Sequence, residues 1–181
     1  MSASCLQPIL DILEQNIIDL SDYTRTTNYT FASLTSTTTQ LQPSASTPTT
    51  ISFDTIEISS NFVFDLSNYP TRVPITTTGI YKFSYSIQLD KSGGGVSVCD
   101  IWIRIDGNDL SNSCSQMVVN GTNGETLPFV EYVLQLNAGQ YIEVCFASTD
   151  STMGVTYFPA QSSPYVRPSI PSIIFNIYKL A

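Results

Sequence analysis

The sequence predicts an all-β protein, a single antiparallel jelly-roll β-sandwich with a short N-terminal helix and an extended arm ahead of it. Three observations point there. Short runs of alternating polarity recur from Ile51 to the C-terminus, as strands with one buried face require. The connections between them carry explicit turn chemistry: Gly93-Gly94-Gly95, Asp106-Gly107-Asn108, Asn120-Gly121, Asn123-Gly124 and Asn137-Ala138-Gly139. Helical periodicity occurs only before Leu20. Short strands punctuated at regular intervals are the pattern of a sandwich or barrel.

Taken in order, residues 1–22 read as an amphipathic helix. Pro8 suits a first helical turn, and Ile9, Leu10, Ile12, Leu13, Ile17 and Leu20 form a broad apolar stripe. A helix this short is marginal alone and needs a surface to lie on. Ile9, Leu13 and Ile17 are therefore candidate contacts with a neighbouring chain, the chain's own sandwich being the other available surface. Residues 23–50 are dominated by Thr and Ser, with Pro43 and Pro48 near the end, and read as an extended arm with too little apolar content to fold alone.

The sandwich itself is expected over residues 51–181. Ile51 to Ile58 alternates in part, whereas Gly79 to Leu89 alternates strictly, with Tyr81, Phe83, Tyr85, Ile87 and Leu89 on the inner face. Val98 to Ile105 places Cys99, Ile101, Ile103 and Ile105 inward and Asp100, Trp102 and Arg104 outward. Further strands are expected at Phe129–Leu136, Tyr141–Ala147, Val155–Phe158 and Ser172–Leu180. Parity puts Cys99 inside and Cys145 outside, so the two are not expected to form a disulfide.

Composition narrows the function classes. Charged residues make up 12% of the 181, about half the usual share, so the surface must be largely neutral and hydroxylic. That suits a protein packed among neighbours. The net charge of −8 and the lack of a Lys/Arg run argue against nucleic acid as a partner. No apolar stretch is long enough to span a bilayer. Residues Met1 to Leu20 lack the basic region and continuous apolar run of a signal peptide, which implies synthesis in the cytoplasm.

The ordered motifs F-D (Phe53-Asp54), G-I-Y-K-F-S-Y (Gly79 to Tyr85), I-R-I-D-G-N-D (Ile103 to Asp109), L-Q-L-N-A-G-Q-Y-I-E-V (Leu134 to Val144) and the closing S-I-I-F-N-I-Y-K-L resemble the C1q/TNF-like jelly roll. The wording of FSYSIQ, WIRIDGNDLSNS and PSIPSIIFNIYKL is similar to the versions found in virion structural proteins of phages and large DNA viruses. No collagen-like stalk is present. The resemblance implies self-association through a sheet face. On the strand from Gly79 that face shows Lys82, Ser84, Ser86 and Gln88, a polar set that leaves trimeric, fivefold and heterologous packing open.

Catalytic signals are weak. The chain has no histidine, and Lys82, Lys91 and Lys179 sit in no motif that makes a base of one. The four cysteines, Cys5, Cys99, Cys114 and Cys145, lack metal-ligand spacing. Asp106, Asn108 and Asp109 cluster in a turn but do not follow a calcium-loop pattern. Gly93-Gly94-Gly95 reads as a flexible strand connection. No catalytic residue, cofactor or metal is assigned. The candidate partner contacts beyond the helix are outward Trp102, outward Tyr141, and Tyr157, Phe158 and Tyr165 on the aromatic and proline-rich loop of residues 157–168.

The expected function is that of a non-enzymatic viral structural protein of the capsid, in a penton, minor capsid or decoration role. Its partners would be other capsid proteins and copies of itself, as a trimer or pentamer. The alternative is a receptor-binding or fibre-head module whose loops recognise a host surface ligand.

Overall fold

The computed structural model describes residues 9–15, 29–122 and 124–181. In chain order its strands begin with β1 (Phe31–Ser36), β2 (Gln40–Leu41), β3 (Thr49–Thr50), β4 (Thr55–Ser60) and β5 (Val73–Pro74). The middle of the chain supplies β6 (Gly79–Ile87), β7 (Leu89–Lys91), β8 (Val96–Ile105), β9 (Asn108–Asp109) and β10 (Ser115–Asn120). The last are β11 (Gly124–Thr126), β12 (Phe129–Leu136), β13 (Tyr141–Ser148), β14 (Met153–Val155) and β15 (Ile173–Lys179). All their pairings are antiparallel, and the architecture is an all-β jelly-roll sandwich.

One layer is the five-stranded sheet β12-β6-β15-β1-β4. The facing layer runs β10-β8-β13-β3, with β5 also on β13 and β9 on β8. A smaller sheet, β11-β7-β14-β2, continues beyond Gln88, where β6 gives way to β7. Alternation along β6 buries Tyr81, Phe83, Tyr85 and Ile87 completely. They meet Ile101 and Ile103 of β8, Val144 and Phe146 of β13, and Phe175 and Ile177 of β15 in one core. Phe175 stacks on Phe83 at 5.7 Å and meets Phe53 edge-on at the same distance, geometries that favour aromatic pairs.

The described part of the expected arm, residues 29–50, is not outside the sandwich, and the domain boundary expected at Ile51 is corrected; residues 23–28 lie outside the described residues. Strand β1 pairs with β15 over its whole length, from Phe31↔Tyr178 to Ser36↔Ile173, and with β4 on its other side. Ala32 and Leu34 lie in the core. A Ser/Thr-rich segment can occupy such a place because its polar groups are satisfied there. Buried Gln42 donates through Nε2 to the carbonyls of Ser148 and Asp150 (2.8 and 2.9 Å) and accepts the Ser148 N–H (2.8 Å). Gln40 accepts the Ser52 N–H (2.7 Å) and donates to the Ser52 carbonyl (2.9 Å). Thr35 donates to Glu57 at 2.8 Å. These side-chain amides and hydroxyls act as ladder bonds that composition alone does not reveal.

Smaller differences follow the same logic. Ile51 and Phe53 are buried, but single backbone bonds to Val144 and Pro70 hold them ahead of β4. Strand β10 was not anticipated, and between Val155 and β15 strand pairing gives way to isolated bridges. The Asp106-Gly107 turn joins β8 to β9 with positive φ at both residues (54° and 76°), the primed hairpin geometry. Cys99 and Cys145 are both free and lie on opposite faces of their sheet, as their parity requires.

The Gly93-Gly94-Gly95 connection is pinned. Lys91, fully buried, donates through Nζ to the carbonyls of Gly94 and Gly95 (3.2 and 2.9 Å) and to Ser97 Oγ (2.6 Å), and pairs with Asp150 at 3.4 Å. Gly93 itself has no room for a side chain, since a Cβ would stand 2.5 Å from Thr152 Oγ1.

Two truncations test the boundary. A chain starting at residue 29 is expected to retain a cooperative unfolding transition and a dispersed amide spectrum, and one starting at residue 51 to lose both. In the intact chain, Leu34→Ala is expected to cost about 3 kcal/mol in urea denaturation, as for other fully buried leucines; a cost near zero would return residues 31–36 to an arm.

Candidate interaction surface

The outer face of the five-stranded sheet is built in rows by its register. One row is Phe129–Ser86–Ile174–Thr35, the next Glu131–Ser84–Asn176–Ser33, the third Val133–Lys82–Tyr178–Phe31. Read from β6 alone the face is polar, but its neighbours change that description. Phe129 is 65% exposed, Val133 56% and Tyr178 48%. Lys82 and Glu131 neutralise each other at 2.9 Å, and at the β4 edge the exposed Glu57 accepts the Thr35 hydroxyl at 2.8 Å. The result is a mixed surface of aromatic, aliphatic and small neutral side chains.

The expected contact residues do not converge on one site. Ile9 and Leu13 lie on the helical residues 9–15, and both are more than half exposed. Ile17 falls outside the described residues. Trp102 is half-buried on the outer face of β8, where its indole N–H donates to Asp109 at 2.6 Å. The Arg104 Nε donates to the same oxygen at 2.6 Å, and the guanidinium carbon lies 5.8 Å from the indole centroid. Trp102 borders a shallow groove of about 310 Å³ with Asp100, Asn112 and Cys114. Tyr157 is half-buried, its N–H bonded to Thr39 Oγ1 at 3.1 Å. Phe158 bridges to Ile170, while Tyr165 projects into solvent.

Tyr141 has a partner that the sequence did not mark. Its ring centroid lies 4.3 Å from the Arg72 guanidinium carbon, and the Tyr69 ring lies 4.6 Å from the same atom. Together they border a pocket of about 180 Å³ between the segment before β5 and the start of β13. The available sequence signal was slight: one of seven cations, two residues after Pro70.

The carboxylates of the Asp106 turn are already engaged. Asp106 accepts the Tyr141 N–H and the Gln140 amide, both at 3.0 Å. Hydrogen bonds from Arg104 and then Trp102 hold Asp109 below the usual carboxylate range. Among the described residues, no three His, Cys, Asp or Glu side chains gather as a metal site. No described helix is long and apolar enough to cross a membrane. Burial pushes the Cys99 and Cys145 thiols up to about 12 and raises that of Cys114. None of the three is thereby prepared as a thiolate nucleophile.

No protein-family model matches the chain, and no curated protein matches it. Among solved structures, it is similar to the globular domain of the zebrafish complement 1qA protein. Identity is 13%, the match covers 84% of this chain and 98% of that one, and the TM-score is 0.49. The strand pairings described above establish the fold without it.

Two outcomes are expected from this chemistry. Alkylation of the native protein followed by peptide mapping should mark Cys114, with Cys99 and Cys145 labelled only after denaturation. Stability should fall on acidification because Asp54, Asp109 and Asp150 titrate below the unfolded value of about 4. The Thr152 N–H and hydroxyl, with Ser97 and Lys91, bring Asp150 down to about 2. A depressed folded value contributes stability that is complete above pH 4 and lost as pH falls towards 2. Urea midpoints measured from pH 5 to 2 should show this slope, and Asp150→Asn should flatten it.

Proposed function

We propose that this chain is a non-enzymatic structural protein that works by assembly, packing copies of itself through the outer face of the five-stranded sheet. The observation that carries this reading is the combination on that face of exposed Phe129, Val133 and Tyr178 with a self-neutralised ion pair. Burying the Lys82–Glu131 pair together strands neither of its charges, and burial of aromatic and aliphatic side chains drives association. A stable contact takes about 800 Å² per partner, a small part of the 10257 Å² accessible here.

The setting we propose is a capsid, as a penton, minor capsid or decoration protein. The low charge content and the resemblance of the motifs to virion jelly rolls support it. The exposed apolar side chains of residues 9–15 then supply the contact with other capsid proteins. A second reading, recognition of a host surface ligand by loops, draws on the exposed Tyr165 and Val166 of the segment before β15.

The test is native mass by light scattering over a hundredfold range of concentration. The expected result is a fixed trimer or pentamer of the 19.9 kDa chain, shifted to monomer by Val133→Lys with the unfolding midpoint nearly unchanged. A wild-type chain that remains monomeric throughout would refute sheet-face self-assembly.

A further inference from the structure

We infer that Arg72 forms a carboxylate-recognition site, independent of the sheet-face contact. The guanidinium lies over the rings of Tyr69 and Tyr141, at 4.6 and 4.3 Å, and these contacts hold it in place. Its N–H groups make no hydrogen bond or ion pair with any described residue. This sets it apart from the other arginines described. Arg104 is paired with Asp109, and Arg167 donates to the carbonyls of Pro159 and Pro168.

A half-buried guanidinium, held between two rings with its N–H donors unpaired, is prepared for a planar, two-oxygen acceptor. The pocket it borders is also lined by Pro74, Gln140 and Asp65. Asp65 is the competing acceptor, but its two oxygens accept the Asn68 backbone N–H at 3.2 Å and Nδ2 at 2.8 Å, and no ion pair joins it to Arg72. Gln140 is likewise engaged, donating to Asp106 and accepting the Asn137 N–H. Asp65 and Gln140 thus have partners of their own, while the guanidinium has none among the described residues.

Size limits the occupant. At about 180 Å³ the pocket is smaller than ordinary small-molecule sites, which start near 300 Å³, and it fits one carboxylate with a short aliphatic stem. That chemistry has two sources: an Asp or Glu side chain of a second copy of this chain, or a free aliphatic acid. With fifteen acidic residues against seven basic ones, a second copy offers many such groups.

The experiment follows the Arg72 Nε–Hε and Tyr141 amide resonances of the full ¹⁵N-labelled chain, first with added glutarate and then with increasing protein concentration. Sodium chloride at matched ionic strength is the control. Saturable shifts with glutarate that chloride does not reproduce are expected. If the same resonances also move with protein concentration, and glutarate reverses that movement, the source is a second copy. If only glutarate moves them, it is a free acid. Arg72→Lys, which keeps the charge and loses the planar fork, is expected to bind glutarate at least tenfold more weakly while the remaining amide spectrum is unchanged. Equal binding by the lysine variant, or no response of wild-type resonances to glutarate, would overturn the assignment. So would a response to protein concentration that glutarate cannot compete.

Discussion

Strand β15 lies between β6 and β1 in the five-stranded sheet, so the last strand of the chain closes its centre. Ile173, Phe175 and Ile177 point into the core from that position, and Phe175 contacts Phe83 and Phe53 from two other parts of the chain. Until β15 docks, β1 has only its edge neighbour β4 and β6 has only β12. Such a pairing closes a long loop before any contact repays the lost entropy, which makes the sheet cooperative and intolerant of loss at either end. The outer face of the same sheet inherits this constraint, because its rows run across β15.

The low charge content has a counterpart inside the molecule. Where other sandwiches bury aliphatic side chains, parts of this one bury amides and hydroxyls: Gln42, Ser36, Ser97, Ser148 and Ser172 are all nearly inaccessible. Each bond is worth only about 1 kcal/mol net, but an unmade one costs more, so the network restrains geometry more than it adds stability. Lys91 is the extreme case. Its buried ammonium is balanced by two carbonyls, a hydroxyl and the partly exposed Asp150, and the glycine loop is fixed as a result.

Little of the candidate surface was legible beforehand, although several of its residues were. Trp102 and Tyr141 face outward as their parity required, yet neither is an open contact: one is bonded to Asp109, the other stacks on Arg72. The sheet face was misread as polar because Lys82, Ser84 and Ser86 belong to one strand, while Phe129, Val133 and Tyr178 come from its neighbours. A period of two assigns each side chain to a face of its own strand and contains nothing about which strand lies beside it.

By itself the sequence determined the strands with strong alternation, β6, β8, β12, β13 and β15, and the turns that separate them, because face and turn chemistry are local properties. It also determined that Cys99 and Cys145 would remain apart. Only the tertiary structure decided that residues 31–36 belong to the sandwich, that Lys91 is buried, and that Tyr69, Arg72 and Tyr141 meet. Each of these depends on polar or charged groups satisfied by residues distant in the chain. Hydrophobic periodicity registers what water expels, not which distant donor and acceptor will find each other.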